Sequence, residues 1–213
     1  MSLVDVALEA LLAILSPPAC AACDAPLERA RVFCAACAAT VVATPPAPRG
    51  AHTVSAAAYG GAVATAIVRL KYGGRADLAR PLAPLAFPVA ASLGVAFDVV
   101  APVPLHPARL RERGFNQAAL LAAPLARFLG ARYAPQLLTR LRSTTPQATQ
   151  GAAARAANVV GAFSLAGRAL SPDARVLLVD DVRTTGATLS ACFAALGGSS
   201  RAWAVTLAQA GDA

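Results

Sequence analysis

The chain has 213 residues, 57% of them apolar, and a net charge of +8. That length allows one α/β domain of ordinary size with a small appendage. No stretch of about 18 apolar residues runs free of charge or proline, so no transmembrane span is predicted.

The run from Leu3 to Leu15 is apolar at helical spacing, but it carries Asp5 and Glu9 and has no basic flank. It predicts a short helix packed on the body or on a partner rather than a signal peptide. An acidic polar face also argues against a membrane-surface role. With no targeting signal, the cytoplasm is the expected compartment.

Four of the five cysteines form two CxxC pairs, Cys20 with Cys23 and Cys34 with Cys37. Each pair can present two thiolates through a tight turn, and two turns complete a tetrahedral four-sulfur site for structural Zn²⁺. Disulfides are the competing use of this spacing, but reduced knuckles suit a chain without a secretion signal. A closed site of this kind folds a short segment and has no open coordination position for catalysis. Cys192 lies in an apolar helical run and reads as a small core residue.

The segment TPPAPR, Thr44 to Arg49, cannot continue a helix or a central strand. We therefore divide the chain into an N-terminal helix and four-cysteine element (1–43), a Pro-rich linker (44–51) and a main domain (52–213). A strand is expected from Thr53 to Tyr59, a helix from Val63 to Tyr72, and a second strand from Phe97 to Val103. After that strand come Pro104, Leu105, His106 and Pro107, then a basic loop through Arg109, Arg111 and Arg113, then a helix from about Ala118 to Leu129. Between residues 100 and 160 there are eight arginines against Glu112 alone. Such a run is either a solvated basic face or an anion-binding surface, because arginine makes bidentate contacts to phosphate oxygens. His106, beside two prolines, reads as a surface or packing residue, with a share in anion binding by the loop as the alternative.

A polar stretch from Arg140 to Phe163 separates a strand near Leu137 from a short strand near Phe163. It contains Pro146 and Gly151, and its length suggests a mobile lid.

The most informative run is RVLLVDDVRTTGAT, Arg175 to Thr188. Val176 to Val179 reads as a central parallel strand covered on both faces. Asp180 and Asp181 are then expected at its carboxyl end, where open α/β sheets bind ligands, with carboxylates able to accept hydrogen bonds from vicinal ribose hydroxyls. Thr184, Thr185, Gly186, Ala187 and Thr188 lead into a helix from Leu189 to Leu196. Free N–H groups, hydroxyl donors and a glycine at a helix start make a phosphate site. A strand end and a capping threonine would explain each part singly; the joined string reads as a grip for a phosphorylated sugar.

This string resembles the 5-phosphoribosyl-1-diphosphate (PRPP) motif of type I phosphoribosyltransferases, with Arg183 where that motif usually carries an apolar residue. Together with the CxxC pairs, RGFNQ at Arg113 to Gln117, and the pattern of Pro146, Gln147, Arg155 and Asn158, the chain resembles the ComF family over nearly its whole length. The resemblance implies a type I phosphoribosyltransferase-like α/β fold, a parallel sheet with flanking helices behind an N-terminal zinc knuckle. It further implies a PRPP or ribose-phosphate ligand with Mg²⁺, held by Asp180, Asp181, Thr184 to Thr188, Arg109 and Arg113. Gln147, Arg155 and Asn158 would belong to a lid that excludes water from the activated sugar. The family is associated with natural competence and DNA utilisation, and whether a transfer reaction follows is left open. The alternative is a DNA-processing accessory that binds single-stranded DNA or partner proteins through its arginines and zinc element.

Overall fold

A computed structural model describes residues 18–29, 31–142, 161–166 and 170–211. The expected N-terminal helix and Gln147, Arg155 and Asn158 lie outside the described residues. Among the described residues, no helix is long and apolar enough to cross a membrane.

The strands β1 (Thr53–Ala58), β2 (Val99–Pro102), β3 (Arg132–Tyr133), β6 (Val176–Arg183) and β7 (Ala202–Gln209) form a parallel sheet in the order β1-β7-β6-β2-β3. The run Val176 to Val179 is fully buried in the middle strand, as a parallel strand covered on both faces requires. Two short strands, β4 (Leu138–Arg140) and β5 (Phe163–Leu165), pair antiparallel in a separate small sheet.

Strand periodicity divides the core into two layers. Leu177, Val179, Val100, Val205 and Leu207 face one layer, with the helices α2 (Gly61–Tyr72), α3 (Ala79–Leu82), α4 (Ala86–Ala91) and α6 (Gln117–Leu129). Val176, Leu178, Val99 and Ala101 face the other, with Leu138 and Phe163 of the small sheet and Leu189 and Cys192 of α7 (Ala187–Ala195). Cys192 is fully buried there, the core role its sequence context suggests.

The basic stretch after β2 is not an open loop. It forms the helix α5 (Pro107–Arg113), because His106 caps its start by accepting the Ala108 N–H at 3.2 Å, Pro107 supplies a preset first turn, and Gly114 ends it at φ +82°. The expected elements at 53–59, 63–72, 97–103, 118–129 and 189–196 are all present with boundaries shifted by a few residues. Strand β7, the two-residue β3 and the helical turns between Ala76 and Ala91 complete the architecture.

Candidate functional site

The two CxxC pairs converge. The short helix α1 (Ala35–Ala38) starts at Cys34 and brings Cys34 and Cys37 to the turn that carries Cys20 and Cys23; the four sulfurs lie within 4.8 Å of one another. The Cys23 and Cys34 sulfurs are 3.8 Å apart. A tetrahedron with metal–sulfur bonds of about 2.3 Å has edges of about 3.8 Å, so the spacing fits a four-thiolate metal site. Burial works to raise the Cys20 thiol, yet the backbone N–H groups of Cys34, Cys23 and Ala22 outweigh it and bring it down to about 6. Cys37 is pushed up to about 12 by its neighbours Cys23 and Cys34. Four thiolates this close need a cation to coexist.

The knuckle is anchored on α2. Cys20, Ala21 and Phe33 join the same core cluster as Val63, Ile67 and Leu70. Arg69 donates to the Ala21 carbonyl at 3.0 Å and pairs with Asp24, which also meets Arg75 at 3.0 Å. At the other end of the helix, Thr40 Oγ1 accepts the Ala62 N–H at 2.9 Å. A Cβ on Gly61 would come within 2.4 Å of the Thr40 carbonyl oxygen, so only glycine permits this approach.

The acidic pair sits where the sheet narrows. Pairing of β6 with β2 ends at Val179 opposite Pro102, whereas pairing with β7 continues to Arg183 opposite Gln209. Asp180 and Asp181 are therefore strand residues lying past the end of β2, not loop residues following the strand. Alternation then sends them to opposite faces. Asp181, in phase with Leu177 and Val179, is buried and meets Lys71 Nζ of α2 at 2.6 Å. Asp180, in phase with Val176 and Leu178, is half-buried on the face of Cys192 and Arg140, both of which feel its charge. Desolvation and the adjacent Asp181 push the Asp180 carboxyl up to about 8, with Lys71 opposing. Arg183 is also a strand residue. Its guanidinium donates to Gln209 Oε1 at 2.5 Å, a polar pairing in place of apolar packing.

Beyond β6, Thr184 and Thr185 are exposed and Gly186 caps α7 at φ +77° with open space around the position a Cβ would take. The first-turn N–H groups of α7 lack intrahelical partners; the Ala187 N–H makes only a long 3.5 Å contact with Thr185 Oγ1. Thr188 lies in the first turn. The expected hydroxyls, glycine and helix start are thus together at the carboxyl edge of the sheet.

In RGFNQ, Arg113, Asn116 and Gln117 each have a local task. Asn116 caps α6, accepting the Ala118 N–H at 3.0 Å while donating to the Val103 carbonyl at 3.1 Å. Buried Gln117 accepts from Arg113, whose guanidinium also stacks 5.3 Å over the Tyr72 ring. Arg109 is exposed and pairs with Glu112 at 3.1 Å. On α5, which follows β2, Arg113 lies beside Tyr72 and Arg109 within electrostatic reach of Arg140.

Two cationic residues here are not among those the motifs pick out. Lys71 is the only lysine in the chain, and its position before Tyr72-Gly73-Gly74, at the end of an apolar helix, was the available signal. Arg140 reaches the site from β4, over the Phe163 ring at 5.4 Å, with its charge disfavoured by burial. No motif flags it, since strand pairing of 138–140 with 163–165 joins segments far apart in sequence.

Topology explains why these groups meet. From β2 the chain runs through α5 and α6 to β3 on one side; from β6 it runs through α7 to β7 on the other. The carboxyl ends of β2 and β6 thus form a switch point, the place where open α/β sheets bind ligands. Following β2 lies a cleft of about 470 Å³, lined by Pro104, Leu105, Leu110 and Leu138 together with the polar Asn116, Gln136 and Thr139.

Sheet, switch point and cysteine cluster define an α/β protein with a parallel five-stranded sheet, flanking helices and an N-terminal four-cysteine cluster whose spacing could hold a metal ion. No family model matches the chain. It is 32% identical over 176 residues to DNA utilization protein YhgH of Salmonella typhimurium, covering 80% of this chain and 74% of that protein. Identity to DNA utilization protein YhgH of Escherichia coli K12 is 32% over 177 residues, with the same coverage. Competence protein F of Haemophilus influenzae is 42% identical over 94 residues, 44% of this chain and 41% of that one. The chain belongs to the ComF family.

Proposed function

We propose that this protein binds PRPP or a related ribose phosphate at the β2/β6 switch point, on a type I phosphoribosyltransferase-like fold, and serves DNA utilisation or competence. The observation that supports this reading most is the joining of three features at one sheet edge: the acidic pair, the Thr184 to Thr188 helix start and the arginines of α5. In this reading the acidic pair serves the ribose hydroxyls, Asp180 accepting hydrogen bonds from them and Asp181 bracing it from the Lys71 side. The N–H and hydroxyl groups of Thr184 to Thr188 hold the 5′-phosphate, and Arg109 and Arg113 meet the diphosphate. Mg²⁺, a hard cation that takes carboxylate and phosphate oxygens, fits this donor set and would neutralise diphosphate charge. Gln147, Arg155 and Asn158 supply a lid. The N-terminal cluster holds structural Zn²⁺, the metal whose four-sulfur geometry matches the observed spacing.

Thermal unfolding with increasing PRPP and Mg²⁺ tests the reading. A ligand present at about 100 times its Kd stabilises the folded state by about 2.7 kcal/mol, so the midpoint rises with concentration. A midpoint that does not move counts against PRPP.

A second reading rests on Arg109 and Arg111, exposed on α5. Here the basic helix follows the backbone of single-stranded DNA, as an accessory to DNA-processing proteins. Its signature is affinity that falls steeply with salt; affinity flat in salt rejects it.

A further inference from the structure

We propose that Lys71 is a ligand-positioning residue of this site, the resident counter-ion that neutralises and aims Asp181 and leaves Asp180 as the carboxylate offered to the ligand. The proposal builds on the phosphosugar reading but has a part that stands without it.

The geometry begins with α2. Its start is locked to the knuckle by the Ala62–Thr40 hydrogen bond and the close approach at Gly61, and Arg69 fixes its last turns to the Ala21 carbonyl. Lys71 projects from the end of this braced helix, and its ammonium lies 2.6 Å from Asp181 Oδ2. The lysine side chain is 21% exposed and that of Asp181 3%, so the pair is largely out of water. A buried ion pair is seldom better for stability than a well-packed apolar pair. This one is placed at the sheet's ligand-binding edge, one residue from Asp180.

The partition of charge follows from the strand. Asp181 faces α2 and has a dedicated cation. Asp180 faces the other side, where Arg140 of β4 and Cys192 of α7 lie within electrostatic range and Arg109 of α5 acts on Arg140. On the near side Lys71 and Asp181 act on it with opposite signs, and Tyr72 sits beside Lys71. Burial works against the Lys71 charge, but Asp181 outweighs it and raises the ammonium above its ordinary range. An ammonium has three donors, and Asp181 uses one, so others remain for a ligand oxygen.

Because Lys71 is the only lysine, protein labelled with ¹³C at lysine Cε gives a single lysine side-chain signal. The test combines that signal with ¹³C carboxyl titration of Asp180 in wild type, Lys71→Gln and Lys71→Arg, and with PRPP–Mg²⁺ affinity across pH. Removal of an opposite charge at this range moves a carboxyl by about one pH unit or more. We expect the Asp180 midpoint to rise by about that much in Lys71→Gln and to stay near wild type in Lys71→Arg. PRPP affinity at neutral pH should fall about tenfold or more in Lys71→Gln, with the arginine variant restoring most of it. In wild type, which needs no lysine substitution to fold, the lysine signal should differ from that of Asp181→Asn. An unchanged Asp180 midpoint in Lys71→Gln, or identical lysine signals in wild type and Asp181→Asn, would overturn the proposal. If wild type binds no PRPP while the titration differences hold, the phosphosugar reading fails and Lys71 stands as the counter-ion. If Lys71→Gln binds PRPP like wild type at every pH, the positioning role fails and the reading stands.

Discussion

Asp180 and Asp181 are adjacent in the chain but serve opposite faces of the sheet: Asp181 is buried against Lys71 on the α2 side, and Asp180 is half-buried on the side of Cys192 and Arg140. The strand's alternation makes one carboxylate internal and leaves the other half-buried at the carboxyl edge of the sheet.

Asp180 is expected to lower the stability of the protein at neutral pH. Its carboxyl is raised to about 8 against an unfolded value near 4. A folded-state value above the unfolded one means stability is fully present below about pH 4 and is lost as pH rises through about 8. Asp180→Asn removes this loss. Its urea midpoint should exceed that of wild type at pH 8, with the difference shrinking toward pH 4.

The Lys71–Asp181 pair behaves in the opposite way. Lys71→Met leaves a buried carboxylate without its cation and should cost about 3–5 kcal/mol in urea unfolding at pH 7. Adding Asp181→Asn should recover part of that loss, and purely additive costs would show that the pair is not coupled.

Two glycines separate conformational strain from crowding. Gly186→Ala meets open space at φ +77° and should cost about 1–2 kcal/mol. Gly61→Ala, at φ +48°, also drives its Cβ onto the Thr40 backbone, so thermal unfolding should show a clearly larger loss.

The cysteine cluster predicts one zinc per chain by elemental analysis. Cys23→Ser and Cys34→Ser should each lose it. Since Cys20, Ala21 and Phe33 are part of the main core, metal removal should also lower the thermal midpoint of the whole protein.

Much of this was legible in the chain itself. Buried parallel strands announce themselves as unbroken apolar runs, which located β6 and β2, and CxxC spacing is local, so the four-sulfur cluster follows from it. Strand β7, AWAVTLAQ, is also an apolar run, but it lacks an adjacent motif to draw attention. The end of β6 misleads because Asp180 and Asp181 look like strand terminators, while pairing with β7 carries the strand on to Arg183. The helix at 107–113 hides behind two prolines, although Pro107 is in the one helical position that needs no N–H. Lys71 carries a local signal, as the only lysine at the end of an apolar helix, but its place at the site, like that of Arg140, depends on how α2 and the small sheet pack, a relation between distant segments.

The central claim is ligand binding at the switch point, and isothermal titration of PRPP with Mg²⁺ into wild type and Asp180→Asn tests it most directly. Asp180→Asn is the variant of choice because it is expected to be at least as stable as wild type near neutral pH, so lost binding cannot be ascribed to unfolding. The account predicts saturable heat for wild type with about one site per chain, and at least about tenfold weaker binding for Asp180→Asn. No heat with wild type, or equal affinity in the two proteins, would contradict it.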